Sequence, residues 1–273
     1  MSYGCDVIPL TDKEFIEYLA EVPIALGLER LTELELMRSK PMQSPVLDFG
    51  IGDGIFSRAI FRDRSPAVGV DFSFRELLYM NKSRKPIPHR VCADGRKLPF
   101  RDNYFATAVS NSVLEHIEHL GDVLSELRRV LRDDAWLYLT VPSNKFEQYS
   151  IAAQLFTLLK LPKTSNAYRR WYNRFWKHYH AYDALDWARF FEQHGFTVEE
   201  AVGYNSRFSC AVNESLAPLG LFGKMRRQSG KPWVSSISLR KRVLRPLLPL
   251  FKNHVRYSFN GDGLLFFSLK KIR

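Results

Sequence analysis

The chain has 273 residues, of which 45% are hydrophobic and 14% aromatic, and this composition predicts a globular protein with a substantial core. No apolar run approaches the length of a membrane-spanning helix, and the N-terminus lacks a secretory pattern. Three scattered cysteines predict neither a disulfide framework nor a metal site. We therefore expect a reducing, cytoplasmic setting and no metal ligands.

The formal net charge of +11 is concentrated in one part of the chain. Residues 220–273 hold 13 Lys/Arg and one acidic residue, Asp262, whereas residues 1–219 hold 27 Lys/Arg and 28 Asp/Glu. A uniformly basic nucleic-acid enzyme would carry its charge throughout, so this excess needs a local explanation.

Residues 10–39 are predicted to form one or two helices that cover one face of the domain. Thr11 and Glu14 have the spacing of a capping box, and apolar residues recur at helical spacing on both sides of Pro23. We assign residues 1–44 to this N-terminal helical cover.

The next stretch, residues 46–57 with the sequence VLDFGIGDGIFS, predicts a buried strand, a tight turn and a helix. Gly50, Gly52 and Gly54 allow positive φ and bring a ligand against bare main chain, at which the following helix directs its N–H groups. Asp48 would repel a phosphate but suits an ammonium group or hydroxyls, as in S-adenosylmethionine. A glycine pattern alone is also compatible with a connection that binds nothing.

Two further predicted strands end in a carboxylate, Asp71 and Asp94. The carboxyl ends of parallel strands meet at one edge of an open sheet, where ligands bind, so these residues and Asp48 are predicted to share one site. The other core elements alternate between strand and helix, which predicts a parallel sheet covered on both faces. Helices are predicted at 55–62, 74–82 and 120–131, and strands at 67–73, 91–94, 104–110 and 135–141.

Beyond Pro142 the sequence predicts two insertions. The first, residues 143–181, is rich in aromatic residues and contains an apolar helix at 151–161, and we interpret it as a lid. The second, residues 204–260, holds most of the excess positive charge. Around them we predict a helix from Asp183 and strands at 196–202 and 263–269.

Residues 46–141 resemble the core of class I S-adenosylmethionine-dependent methyltransferases, in the group that acts mostly on small molecules. The matching stretches are VLDFGIGDGIFS, GVDFS, ADGRKLPF, SNSVLEHI and LRRVLRDDAWLYLTVPS. The resemblance implies an α/β fold with a doubly wound, seven-stranded, mostly parallel sheet in a single domain, 1–273, with a cofactor-binding core at 45–142. The family often has Pro-Gly-Gly before the fifth strand, where this chain has Asp133-Asp134-Ala135, so that turn is expected to be built differently.

The resemblance also implies S-adenosyl-L-methionine as the cofactor and roles for individual residues. The turn from Asp48 to Gly54 would lie under the methionine part, Asp71 would bind the ribose hydroxyls, and Phe72 would flank the adenine. Asp94 with Gly95 would meet the adenine amino edge, and Asn111 would lie near the methionine end. The predicted cofactor-binding residues are Asp48, Phe49, Gly50, Ile51, Gly52, Asp71, Phe72, Ala93, Asp94, Gly95 and Asn111.

Methyl transfer from a sulfonium is a direct displacement that needs alignment and exclusion of water more than covalent help. An oxygen nucleophile usually needs a base, and His116 and His180 are the two candidates near the methyl group. Each can also be interpreted as a hydrogen-bonded histidine that orders a loop, and for His180 this interpretation is favoured. His89, His119 and His254 are predicted to lie at the surface.

Missing motifs narrow the substrate. The chain has no Asn/Asp-Pro-Pro-Tyr after the fourth strand, no Pro-Cys dipeptide and no flanking glutamate pair of the arginine methyltransferase type. We predict methyl transfer to a small-molecule or lipid-linked acceptor, at oxygen, with nucleic acid not the expected partner. The alternatives are an RNA methyltransferase that uses the basic insertion and an inactive cofactor-binding partner subunit.

Residues 239–251 interleave basic and large apolar side chains, a pattern that interfacial segments use on anionic lipid. Both insertions follow strands that run toward the ligand edge, so they are expected to meet above the active site. The hypothesis is that they form a lid and touch a membrane surface peripherally. The alternative is that the apolar residues pack the insertions together and the basic residues form a solvated rim.

Overall fold

The computed structural model describes residues 7–62, 66–80, 87 and 89–272. One seven-stranded sheet organises them. The first five strands of the chain pair in parallel, and the seventh pairs antiparallel with the fifth and the sixth. The strands are β1 (Val46–Phe49), β2 (Val68–Asp71), β3 (Arg90–Cys92), β4 (Phe105–Asn111), β5 (Leu131–Pro142), β6 (Phe196–Tyr204) and β7 (Leu264–Lys271).

The spatial order of the strands is β3-β2-β1-β4-β5-β7-β6, and β7 runs antiparallel to both β5 and β6. The order reverses direction between β1 and β4, which is the point where open α/β sheets bind ligands. The helices are α1 (Asp12–Glu21), α2 (Ile24–Arg38), α3 (Ile55–Phe61), α4 (Phe74–Met80), α5 (Leu120–Val130), α6 (Ile151–Leu158), α7 (Pro162–Trp176), α8 (Ala184–Gln193), α9 (Arg207–Leu216), α10 (Leu221–Gln228), α11 (Ile237–Leu244) and α12 (Leu248–Ser258).

Apolar side chains cover the sheet on both faces. One buried cluster joins alternate sheet residues such as Leu47 and Phe267 to α5 and α8, where Trp187 and Phe191 are fully buried. The other joins residues such as Tyr138 and Phe266 to α1 and α2. The N-terminal helices therefore form a layer of the domain, and the predicted doubly wound architecture is confirmed.

The capping box at the start of α1 is present as the spacing predicts. The Thr11 hydroxyl accepts from the Glu14 N–H, and the Glu14 carboxylate accepts from the Thr11 N–H at 2.9 Å. Pro23, at the N-cap of α2, separates the two helices.

Two element boundaries differ from the sequence prediction by more than two residues. β5 begins at Leu131, which pairs with Phe105 of β4, and it includes an irregular stretch where Asp134 has a left-handed φ of 61° and the Asp133 carboxylate pairs with Lys271 at 3.1 Å. The helix predicted at 151–161 ends at Leu158. Pro162, interpreted as the end of that helix, is instead the first residue of α7, where the N–H that proline lacks would have no partner within the helix. The predicted helix at 74–82 is described to Met80, and its last two residues lie outside the described residues.

The basic insertion contains α9 to α12, which follow β6. His254 on α12 is buried, with its Nε2 3.1 Å from Asn213 Oδ1, so the prediction that it lies at the surface is wrong. His254 is three residues from Phe251 and four from Ser258, so it shares a packed face of the helix with these two buried residues. His89 and His119 are exposed, as predicted. Within the described residues, no helix has the length and apolar character needed to cross a membrane.

Candidate active site

The glycine turn after β1 is held against β2 and leaves bare main chain on its other side. Gly50, Gly52 and Gly54 have φ angles of 78°, 56° and 72°. The N–H groups of Gly50 and Ile51 donate to the Val70 carbonyl at 2.8 and 3.0 Å. A Cβ at Gly54 would lie 2.9 Å from Met80, whereas a Cβ at Gly52 would meet no atom within 4 Å. Gly52 therefore offers an open approach to a ligand.

Asp71, at the end of β2, is fixed by two main-chain donors. Its carboxylate accepts from the Gly52 N–H at 2.7 Å and from the Ser73 N–H at 2.7 Å. The side chain therefore also holds the glycine turn in place. A carboxylate oriented by main-chain donors is well suited to accept hydrogen bonds from ligand hydroxyls, because little of its orientation has to change on binding.

Asp48, at the end of β1, is buried and accepts a hydrogen bond from the Ser57 hydroxyl of α3. Burial raises the pKa of Asp48 to about 7, and the nearby Asp71 carboxylate acts in the same direction, while the Ser57 hydrogen bond opposes both. A positively charged ligand group beside Asp48 would favour its ionised form.

Asp94 follows β3 and is paired with Arg96, whose guanidinium lies 2.6 Å from a carboxylate oxygen. That hydrogen bond lowers the pKa of Asp94 to about 2. The neighbouring Gly95 lies against the Phe49 ring, where a Cβ would come within 2.5 Å of Cζ. The Phe72 ring is 80% exposed, so it can flank a bound planar group without displacing core residues.

Asn111, at the end of β4, belongs to a buried polar network. Its Nδ2 donates to Glu33 Oε2 at 2.8 Å, and its Oδ1 accepts from the Thr140 hydroxyl. The fully buried Glu33 also accepts from Arg30 at 2.7 Å and from the Tyr204 hydroxyl at 2.7 Å. Burial raises the pKa of Glu33, and Arg30 opposes that effect. The network fixes the Asn111 amide and the Arg30 guanidinium in orientation.

His116 lies in a short 3₁₀ turn, Leu114–His116, just beyond β4. Its Nδ1 is 3.2 Å from the Lys177 carbonyl, which can only accept, so Nδ1 carries the proton and Nε2 keeps a lone pair. Burial lowers the pKa of His116, and burial lowers the pKa of the adjacent His178 to about 4. The two imidazoles, with ring centroids 5.2 Å apart, are therefore neutral at pH 7.

Glu115 lies beside this pair and is almost completely buried. One of its carboxylate oxygens is 3.8 Å from His116 Nε2. Burial raises the pKa of Glu115 to about 8, so the carboxyl group is mostly neutral at pH 7.

His180 has a different environment. Its Nδ1 is 3.0 Å from the Tyr182 hydroxyl, and its Nε2 is 2.9 Å from the Ile117 carbonyl. Both ring nitrogens are thus engaged with the protein, and the geometry gives His180 the features of a loop-ordering residue. Its predicted catalytic role stays a prediction.

A cavity of about 600 Å³ brings the predicted residues together at the carboxyl edge of the sheet. All the residues predicted to bind the cofactor line it, as does His116, whereas the described lining residues do not include His180. This volume is in the range of sites that enclose a ligand of cofactor size. The bare main chain at Gly52 and the strand-end acids fit the amino, hydroxyl and adenine groups of S-adenosylmethionine.

Sequence reasoning missed several lining residues. Tyr18 of α1 and Leu26 and Arg30 of α2 line the cavity, and Trp233 of the basic insertion lines it beside the glycine turn. The Trp233 Nε1–H donates to Asp53 Oδ2 at 3.1 Å. These residues come from segments distant in sequence, and no local motif marks them.

A cation of the basic insertion, Arg227, also contacts this region. The Arg227 guanidinium lies 3.1 Å from Asp53 and 3.6 Å from the centroid of the Tyr79 ring, and it pairs with Glu76 at 2.5 Å. Part of the basic insertion is therefore attached to the cofactor half of the domain.

A parallel sheet with a glycine turn after its first strand, an acid at the end of each of its first three, and an antiparallel last strand defines the class I S-adenosylmethionine-dependent methyltransferases. Residues 17–201 match the family model described as a methyltransferase domain, and the chain belongs to this family. The match confirms the predicted family, enzyme class and cofactor.

Curated relatives cover part of the chain. It is similar to the ubiquinone biosynthesis O-methyltransferase of Nitrosomonas europaea, with 22% identity over 134 residues, 47% of this chain and 57% of the relative. It is also similar to a malonyl-[acyl-carrier protein] O-methyltransferase of Halorhodospira halophila, with 36% identity over 108 residues, 37% of this chain and 36% of the relative. The matches thus span between about a third and just over half of these relatives.

A solved structure matches over more of the chain. Phosphoethanolamine N-methyltransferase 2 of Haemonchus contortus, in complex with S-adenosyl-L-methionine, has a TM-score of 0.52 and 16% identity, and the match covers 96% of this chain and 58% of that chain. At this identity the likeness concerns the fold.

Proposed function

We propose that the protein transfers a methyl group from S-adenosylmethionine to an oxygen atom of a small-molecule or lipid-linked acceptor by direct displacement. The observation that carries the proposal is the shared cavity, which joins the predicted cofactor residues to a neutral histidine with a free Nε2 lone pair. When bound, the cofactor supplies an electrophilic methyl group on a sulfonium.

The residues of the cavity divide the work of binding. Asp71 accepts hydrogen bonds from hydroxyls of the ribose, and the main chain at Gly52 lies against the methionine part. Asp48 faces the positive charge of the amino group, and Asp94 with Gly95 meets the adenine. These assignments rest on the strand-end positions and on the orientation of each carboxylate by its neighbours.

His116 acts as the general base in this proposal. The acceptor hydroxyl gives its proton to Nε2 as the oxygen attacks, and the Lys177 carbonyl holds the ring through Nδ1–H. Because burial lowers the pKa of His116, the imidazole is free to accept a proton at pH 7. Apolar side chains such as Leu26 and Val22 line the same cavity and exclude water from the reacting atoms.

An oxygen acceptor is also supported by the relatives, two of which are named as O-methyltransferases, of ubiquinone biosynthesis and of malonyl-[acyl-carrier protein]. The basic insertion gives less support to RNA. Several of its cations already have partners in the protein: Lys241 pairs with Glu17 at 3.5 Å, Lys252 with Asp12 at 2.6 Å, and Arg240 donates to the Val22 carbonyl. Fewer cations are then left for a phosphate backbone.

Transfer of labelled methyl groups tests the proposal. The protein is incubated with S-adenosylmethionine labelled at the methyl carbon and with cell extract, and the products are separated into lipid, small-molecule, protein and nucleic-acid fractions. We expect label in the lipid or small-molecule fraction, attached to oxygen, and its loss with His116→Gln. Label in RNA would instead support the RNA methyltransferase. Cofactor binding without transfer to any fraction would support a non-catalytic partner subunit.

A further inference from the structure

The first insertion contains two helices whose composition is unlike that of the rest of the domain. We call residues 151–177, which comprise α6, α7 and their connection, the helical hairpin. It has six Lys/Arg residues and no Asp or Glu. Residues 1–219 as a whole are close to neutral, so the hairpin is a local concentration of positive charge.

The hairpin is also unusually exposed. Of the 8 residues of α6 and the 15 of α7, only Ala153 and Ser165 are buried. Leu158 is 78% exposed, and the large apolar side chains exposed along the hairpin are Ile151, Leu155, Leu158, Leu159, Leu161, Trp171, Phe175 and Trp176. An apolar surface of this size, rimmed by polar groups, is typical of an interaction site.

The contacts that join α6 to α7, and the hairpin to the residues just before it, use other side chains. The Ser150 hydroxyl caps α6, Arg169 pairs with Glu147 at 2.8 Å, and Phe156 packs edge-on against Tyr168 across the two helices. The exposed apolar side chains are therefore not accounted for by the packing of the two helices on each other.

Cations and aromatic rings share one side of α7. Lys163, Arg170 and Arg174 are spaced seven and four residues apart, so they lie along one face of the helix, and all three are exposed. The adjoining positions hold Trp171 and Phe175, whose rings stack with centroids 5.3 Å apart. Cations beside large aromatic rings are the pattern of segments that lie at the boundary between lipid headgroups and acyl chains.

We propose that the helical hairpin docks the protein on the surface of an anionic lipid bilayer. The apolar side chains of α6 and α7 would enter the headgroup region, and the exposed cations would contact lipid phosphates. With 8 residues, α6 is far too short to span a bilayer, which requires about 20 residues, so the hairpin lies on the membrane. Charge complementarity selects an anionic surface over a neutral one.

Docking would bring the membrane close to the acceptor side of the cavity. The Lys177 carbonyl, at the end of the hairpin, accepts from His116, and the Tyr179 N–H donates to the Glu115 carbonyl at 2.8 Å. For a lipid-linked acceptor, this would place the reacting oxygen within reach of the bilayer. The delivery of a lipid-linked acceptor rests on the proposed function, whereas docking of the hairpin on the bilayer does not.

Residues 239–251, predicted from the sequence to contact a membrane, have a more mixed environment. Leu239 and Val243 are exposed, as are Arg242 and Arg245, but Leu244 and Phe251 are buried in the domain. Membrane contact through this segment stays a prediction. It competes with docking through the hairpin, and because its exposed residues match those of the hairpin in type, the same substitutions made here test which segment docks.

Vesicle co-sedimentation of the full-length protein tests the proposal. The vesicles are phosphatidylcholine alone, or phosphatidylcholine with about a third of anionic phosphatidylglycerol, at low and high salt. We expect binding to the anionic vesicles that salt weakens. Replacing two cations, Arg170→Gln with Arg174→Gln, should weaken it about 30-fold, because each basic residue near an anionic surface contributes about fivefold. Leu158→Gln should weaken it by roughly tenfold.

The matched controls are Arg242→Gln with Arg245→Gln, and Leu239→Gln, and calorimetry of S-adenosylmethionine binding verifies that each variant is folded. The proposal holds if the hairpin variants lose vesicle binding and the controls keep it. Absence of binding to any vesicle would overturn it, as would equal losses in both sets or a loss only in the controls. Salt-sensitive binding to RNA without binding to vesicles would also overturn it. Sedimentation requires no turnover, so the vesicle-binding result can be interpreted even if the methyl-transfer assay fails.

Discussion

The cavity is lined by two sets of residues that the chain assembles in different ways. The set predicted to bind the cofactor, called the cofactor set, is Asp48–Asp53 with Asp71 and Asp94; it follows three neighbouring strands and is fixed largely by main-chain donors within the first part of the sheet. The other set, which we propose faces the acceptor and call the acceptor set, is Tyr18, Arg30 and His116, drawn from α1, α2 and the turn after β4. Arg30 pairs with Glu33, which also accepts from Tyr204, and His116 contacts the Lys177 carbonyl, so the set depends on residues far away in the chain.

Because of this difference, we expect affinity for the cofactor and the rate of methyl transfer to depend on different residues. The cofactor set is rigid and local, so it can be expected to determine affinity for S-adenosylmethionine. The acceptor set depends on contacts between the N-terminal cover, the sheet and the end of the hairpin, so it can be expected to determine which molecule is methylated and how fast. Substitutions in the two sets should therefore change different measured quantities.

The largest effect is expected in the acceptor set. His116→Gln should lower turnover roughly 10²–10⁴-fold, because it removes a general base, while the affinity for S-adenosylmethionine changes little. Turnover is measured with the acceptor found by methyl labelling, and affinity by calorimetry. His119→Gln, at an exposed position outside the cavity lining, is the control.

Near wild-type turnover in His116→Gln would assign the histidine to ordering the loop through its contact with Lys177. A loss of turnover accompanied by an equal loss of cofactor affinity would remove the separation between the two sets. The same measurement on His180→Gln tests the second sequence-predicted base, for which both nitrogens are engaged with the protein.

Substitutions in the cofactor set should lower the affinity for S-adenosylmethionine. Asp71→Ala removes the acceptor that we propose for the ribose hydroxyls and releases the Gly52 and Ser73 N–H groups. Loss of charge-assisted hydrogen bonds costs roughly 1.5–3 kcal/mol, which is about 10- to 150-fold in affinity. Calorimetry measures the change, and Glu199→Ala, at an exposed position on β6, is the control for loss of a carboxylate. Unchanged affinity in Asp71→Ala would defeat this assignment.

The sequence predicted correctly that the residues of the cofactor set lie together at one edge of the sheet, because the information for that placement is local. Short motifs contain the acid at the end of β1, the open glycine Gly52 and the acid at the end of β2. Parallel pairing of β1 with β2 and β4 brings these residues to one edge of the sheet. The alternation of strands and helices likewise fixed the order and type of most elements.

The acceptor set was largely missed for the opposite reason. Arg30 and Glu33 look like ordinary charges on an amphipathic helix, and only the tertiary structure shows that Glu33 is fully buried between Asn111 and Tyr204. His178 lies within a run of aromatic residues with no recognisable spacing to His116. Long-range pairs of this kind leave no pattern in a single sequence.

The smallest expected effect is a pH dependence of cofactor affinity, which sharpens the comparison within the cofactor set. Burial raises the pKa of Asp48 to about 7. The amino group of the cofactor carries a positive charge near neutral pH and favours the ionised carboxylate, so binding at lower pH must expel a proton from Asp48. Affinity should thus be highest above pH 7 and fall by up to about tenfold per unit as the pH drops below it.

Calorimetry between about pH 5.5 and 7 measures this slope, and the same titration in buffers of different ionisation enthalpy reports the released proton. Asp48→Asn cannot release a proton, so its affinity should be lower at pH 7 and nearly independent of pH over this range. Ser57 should donate to the amide oxygen as it does to the carboxylate, which keeps the local geometry comparable. Parallel slopes in the two proteins would show that a group other than Asp48 binds the proton, and the positive part of the cofactor would then lie away from β1.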